Sequence, residues 1–177
     1  MVDVIKIVKT RDVKTPNRAH STDAGLDFFV PEDLTKADMD AVFEKTGHTL
    51  SYKTGENGFV TEMTVEWGQS ACIPSGIKAK FPDGYCMEFH NKSGVGMKKG
   101  LIAGAQTIDS SYQGVWHIDV HNTSRNPAVI KAGDKIAQFV MYPIECPNVE
   151  IVESEDELFG GVVSERGSGA FGSTGVN

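Results

Sequence analysis

Short apolar runs alternate with turn-forming residues along most of the chain, a pattern that helices cannot absorb. Residues 2–8, 71–73, 77–81, 85–89, 115–121, 128–130 and 136–142 each read as a β-strand. Pro82-Asp83-Gly84, Asn126-Pro127 and Ala132-Gly133-Asp134 punctuate them as turns. Many short strands at this spacing predict an all-β fold, an antiparallel barrel or jelly roll. One helix is expected, from about Lys36 to Thr46. Thr35 and Asp38 resemble a capping box, Met39, Val42 and Phe43 give one apolar face, and Gly47 ends it. Residues 49–53 and 59–67 then read as two strands joined through Gly55-Glu56-Asn57-Gly58, a hairpin signal.

Composition narrows the function. With 24 acidic against 17 basic residues the net charge is -7, which argues against broad nucleic-acid or membrane-surface binding but leaves room for one small anionic ligand. No apolar run is long enough to span a membrane, and the first residues lack the apolar core of a signal peptide. The three cysteines, Cys72, Cys86 and Cys146, are scattered without a CxxC pair, so neither a disulfide framework nor structural zinc is expected and a reducing cytoplasm is the default. The expected organisation is one domain over residues 1–163 and a Gly- and Ser-rich C-terminal arm over 164–177, too poor in apolar residues to pack on itself.

Three stretches carry chemistry. In Arg166-Gly167-Ser168-Gly169-Ala170-Phe171-Gly172-Ser173-Thr174-Gly175, glycines let backbone N–H groups converge on an anion. Arg166 offers a planar fork for phosphate, and Phe171 a flat face for a base. A plain disordered tail is the competing reading. Residues 90–100 place Ser93-Gly94 beside the cation of Lys92; a solvated basic turn competes. Residues 104–114 offer Asp109 and Tyr112 on one loop, with Asp109 a candidate base for a water, or simply a turn residue capping its own backbone.

Set in order with Ser21-Thr22-Asp23-Ala24-Gly25-Leu26-Asp27 and Gly133-Asp134-Lys135-Ile136-Ala137-Gln138, these stretches resemble the five motifs of the trimeric dUTPases. The resemblance implies a homotrimer of β-barrel subunits that hydrolyses dUTP to dUMP and pyrophosphate at subunit interfaces, limiting uracil in DNA. By it, Asp109 activates the water that attacks the α-phosphorus, and Tyr112 packs on the deoxyribose. Uracil is read by backbone groups from Gly104 to Ile108. Ser93, Gly94 and Gln138 contact phosphates beside Lys92; Arg166, Gly172, Ser173 and Thr174 hold the γ-phosphate while Phe171 stacks on uracil. Mg²⁺ is the implied cofactor, bridging triphosphate oxygens with no direct protein ligand and with Asp27 touching its water shell.

The chain also departs from the family pattern. Lys92 stands where Arg is usual, Ser111 where Asp is usual, Gln106-Thr107 where smaller apolar residues are common, and Ala170 where Gly is usual. An insertion over about 33–66 contains the helix and the hairpin. It reads as a surface elaboration, or else as a partner-binding or trimer-stabilising element, and resembles inserts of bacteriophage dUTPases. His117, Asp119 and His121 alternate on one strand face, as a metal site or as a polar lining. Two other functions compete with dUTP hydrolysis: a dCTP deaminase-like activity and a nucleotide-gated regulatory binding module.

Overall fold

Alternating runs become strands where the chain supplies them both a partner and something to cover. The structure, a computed structural model, describes residues 4–169. β1 (Lys6–Lys9), β2 (Leu26–Phe29), α1 (Lys36–Thr46), β3 (Ser51–Thr54), β4 (Val60–Val65), β5 (Ser70–Pro74), β6 (Ile77–Lys80), β7 (Tyr85–His90), α2 (Ser93–Lys99), β8 (Leu101–Ala103), β9 (Thr107–Asp109), β10 (His117–Asn122), β11 (Ala128–Lys131) and β12 (Lys135–Pro143) fall in a unit spanning Met1–Glu145. A second unit, Cys146–Asn177, contains α3 (Glu155–Phe159), capped by the Ser154 hydroxyl accepting the Glu157 N–H at 3.1 Å. Among the described residues no helix is long and apolar enough to cross a membrane.

The fold is all-β and antiparallel, as the alternation predicts. Its sheets run β1-β6, β5-β10-β8, β11-β4-β3 and β2-β12-β7-β9. Alternation decides which face is buried: along β10, Ile118, Val120 and Asn122 are sealed while His117, Asp119 and His121 face outward. Aromatic side chains meet in the middle. Phe28 lies 4.5 Å from Phe139 and 5.6 Å from Trp116 between ring centroids, and Phe89 lies 5.4 Å from Phe139. β1 is the exception, with all four residues exposed because it has β6 beside it and no layer over it.

The helix forms where its caps predict. The Asp38 carboxylate accepts the Thr35 N–H at 2.8 Å, and Gly47 ends the helix at φ 72 with its N–H on the Phe43 oxygen at 2.7 Å. Met39 and Val42 reach the core, but Phe43 is half exposed, so the buried stripe is narrower than its sequence suggests. Arg11 ties the helix start down through Asp38. The hairpin turn is also as expected, with Gly58 at φ 80. Its second strand, β4, buries Val60, Met63 and Val65 and pairs with β11, so it is built into the core.

Candidate active site

β12 organises the first half of the site. Its register sets Gln138 opposite Asp27 of β2 on one side and opposite His90 of β7 on the other. Lys92 follows β7 by two residues, so three of the resembling motifs meet at one strand. The Asp27 side chain, only 8% exposed, is gripped by Lys92 Nζ on Oδ1 and by Lys135 Nζ at 2.7 Å on Oδ2. Gln138 Nε2 donates to the Asn91 oxygen at 2.9 Å. Together with Asp23 and Gly25 they line a cavity of about 400 Å³. Gly25 is needed here because a Cβ would lie 2.8 Å from Gln138 Oε1.

Burial pushes the Asp27 carboxyl up, but the hydrogen bonds and charges of Lys135 and Lys92 outweigh it and hold the group below the ordinary carboxylate range. Lys135 is the residue that sequence reasoning missed. It lies three positions before Gln138, and in a regular strand that spacing puts two side chains on opposite faces. A register shift between Lys135 and Ala137 adds the extra residue that brings both to the Asp27 side. Ser93 and Gly94 open α2 and are exposed; a Cβ on Gly94 would meet nothing within 4 Å, so packing within the chain does not require glycine there.

The second half lies along β9 and the loop after it. Ile108 pairs with Met87 and Asp109 with Cys86 across β7. Asp109 is exposed, and its main-chain oxygen accepts the Tyr112 N–H at 3.1 Å, closing a turn. Tyr112 lies over Gly114, where a Cβ would collide with the phenol ring, and donates to the Val115 oxygen at 3.3 Å. Gln106, Thr107, Ile108, Tyr112 and Asp119 contribute to a cavity of about 210 Å³.

The two halves do not meet within one chain. Their cavities share no lining residue. Asp109 stands opposite Cys86 and Gln138 opposite His90, four residues apart on β7. At about 3.4 Å per residue that is roughly 14 Å along the strand. Of the C-terminal candidates, Arg166 donates from Nε to the Gly169 oxygen at 2.9 Å; Phe171, Gly172, Ser173 and Thr174 lie outside the described residues.

The row His117, Asp119, His121 turns out to have neighbours of its own. Lys45 Nζ of α1 sits 2.8 Å from His117 Nε2. Burial, together with that ammonium, pulls the His117 imidazole below its ordinary value. Among the described residues no group of three His, Cys, Asp or Glu side chains is placed to hold a metal ion.

The dUTPase family profile matches residues 58–175. The deoxyuridine 5'-triphosphate nucleotidohydrolase of Xanthomonas campestris pv. campestris (strain B100) is 39% identical over 117 residues, 64% of this chain and 73% of that protein. The corresponding protein of Mycolicibacterium vanbaalenii is 30% identical over 168 residues, covering 93% of this chain and 90% of its own. In fold, the chain is similar to a Staphylococcus bacteriophage 80alpha dUTPase variant with dUpNHpp, with a TM-score of 0.69, 24% identity and coverage of 98% and 99%. It is also similar to a variant dUTPase from phage phi11 of S. aureus described with a structural Mg(II) ion, with a TM-score of 0.63, 22% identity and coverage of 86% and 99%. A profile match that takes in the motifs from Lys92 onward, joined to a relative aligned almost end to end, places the chain in the dUTPase family.

Proposed function

We propose that the chain is a dUTP diphosphatase, releasing dUMP and pyrophosphate. The observation that carries this reading is the division of the site into a cradle around Gln138, lined by Lys92 and Lys135 with Asp23 and Asp27, and a separate pocket lined by Ile108 and Tyr112, which flank the exposed Asp109 in sequence. The cradle suits a triphosphate: Lys92 and Lys135 supply charge and Gln138 an amide, and next to Lys92 the exposed Ser93 and Gly94 would offer backbone N–H groups. The pocket suits a deoxynucleoside. Residues 104–108 would read uracil through the backbone, and Tyr112 would pack on the sugar and leave no room for a 2′-hydroxyl. Asp109 would take a proton from water as its oxygen bonds to the α-phosphorus; the bond from that phosphorus to the αβ-bridging oxygen breaks, and pyrophosphate leaves. Arg166, Gly172, Ser173 and Thr174 would hold the γ-phosphate, with Phe171 stacked on the base.

The residues fit a Mg²⁺ ion carried by the substrate rather than one caged by protein. Of the two carboxylates lining the cradle, Asp23 accepts the His20 N–H at 2.9 Å and Asp27 is held by two lysines. Neither is arranged as a direct ligand; Asp27 would bond a metal-bound water. When bound, the ion neutralises charge on the phosphate oxygens. The free thiols of Cys72, Cys86 and Cys146 suit a reducing cytoplasm.

Two half-sites about 14 Å apart on one chain would be completed by a second copy, as in a homotrimer. The test is pyrophosphate release from dUTP and dCTP by the full chain with Mg²⁺. Turnover of dUTP is expected with little of dCTP; deamination of dCTP, or nucleotide binding without turnover, overturns the reading. Inactive Asp109→Asn and Gln138→Ala chains, unfolded and refolded together, are expected to regain part of the activity because some mixed sites are intact. No regain refutes the shared site. Deleting residues 164–177 is expected to lower kcat/KM for dUTP by about tenfold or more while oligomer mass stays unchanged for the shorter chain. An unaltered kcat/KM would remove the C-terminal segment from the mechanism.

A further inference from the structure

The outward face of β10 does more than meet solvent. Asp119 uses both its side chain and its main chain on the segment that enters the base-reading hairpin. Its Oδ2 accepts the Ala105 N–H at 2.8 Å, and its main-chain oxygen accepts the Gly104 N–H at 2.9 Å. Two consecutive amides are thereby held by one residue. Gly104 makes the approach possible, since a Cβ there would collide with the Asp119 carboxylate and the His121 ring. The other end of the hairpin is fastened differently. The Gln106 oxygen accepts the Phe89 N–H at 2.9 Å, and β9 pairs with β7 from Thr107 to Asp109. One end is therefore set by strand pairing alone, and the other by the β8–β10 pairing up to Ala103 with the Asp119 carboxylate added beyond it. That carboxylate lines the same cavity as Gln106, Thr107, Ile108 and Tyr112.

We infer that Asp119 is a positioning residue that sets the conformation of residues 104–108, and through it the preference for uracil over cytosine. The inference rests on the proposed role of that hairpin as the base site. A base read by main-chain groups is discriminated by where those groups stand, because the wrong base leaves a buried donor facing a donor or an acceptor facing an acceptor. An amide bonded to a carboxylate is held more strongly than one bonded to a neutral oxygen. Asp119 sits between Ile118 and Val120, both buried, so its own main chain is fixed by the core. It passes that rigidity to residues 104–107, which lie between the core-packed Ala103 and Ile108.

The experiment compares the full chain with Asp119→Ala and Asp119→Asn, using steady-state kinetics on dUTP and dCTP and amide exchange at Ala105. Asp119→Ala is expected to raise KM for dUTP about tenfold with kcat nearly unchanged, and to narrow the dUTP-to-dCTP ratio of kcat/KM by a similar factor. Exchange at Ala105 should quicken in the same variant. Asp119→Asn keeps an acceptor oxygen and should restore most of both. If the Ala variant does not fold, Asp119→Ser, too short to reach the amide, carries the same expectations. Parental KM and base preference in the Ala or Ser variant would overturn the inference. So would equal losses in the Ala and Asn variants accompanied by equal falls in melting temperature, which mark a scaffold role only. If the parent itself fails to turn over dUTP, the functional proposal fails instead, and the exchange measurement still decides whether Asp119 holds the hairpin.

Discussion

Asp109→Asn is expected to lower kcat for dUTP by about a thousandfold, the middle of the range for removing a general base. The fold should be indifferent to the change. Asp109 is exposed at the end of β9, and its structural bonds run through the main chain, to β7 and to the Tyr112 N–H, which asparagine preserves. Melting temperature should therefore match the parent, and a non-hydrolysable imido analogue of dUTP should bind about as well. What is lost is the group that takes the proton from water, since a carboxamide oxygen is a far weaker base. Turnover within about tenfold of the parent would assign the proton to another group.

Asp27→Asn should lower stability with a pH dependence that identifies its cause. It leaves Lys92 and Lys135 facing a neutral amide in a site where the side chain is 8% exposed. Breaking a well-buried ion pair costs about 3–5 kcal/mol, and the partly exposed lysine ends bring the expected loss here to about 2 kcal/mol at pH 7. The loss has a pH signature. The folded state holds the Asp27 carboxyl below its ordinary value, so its contribution is complete above the ordinary carboxylate range and fades as pH falls through the lower folded value. Urea titrations should show parent and variant separated at pH 7 and converging below about pH 4. Curves separated equally at both pH values would mean that packing, not charge, holds the three residues together.

Much of the scaffold was legible because it is local. Alternation marked β5, β6, β7, β10, β11 and β12, and the Thr35, Asp38 and Gly47 caps marked α1 at both ends. β8 and β9 were not legible as strands: three residues cannot display a period, and each exists because a distant strand, β10 or β7, pairs with it. Ordered motifs pointed to Lys92, Gln138 and Asp27, but not to their common contact, which the β12 register creates. Asp119 shows the same gap. The sequence reveals which strand face it occupies and leaves a polar lining or a metal site open, whereas its partners are the amides of a hairpin that sequence distance hides.

The register shift in β12 sets how this stretch tolerates a change of length. Lys135 and Gln138 share a face only because one residue between them is unmatched by β2. Exchanging Ile136 or Ala137 for another small apolar residue alters packing and nothing else. Removing either would leave Lys135 and Gln138 two residues apart, the spacing that an unbroken strand puts on one face, so both would stay beside Asp27. The bulge thus seats one surplus residue without turning either side chain from the cradle. A chain shorter by that residue would keep the cradle and lose the bend that a bulge gives the strand.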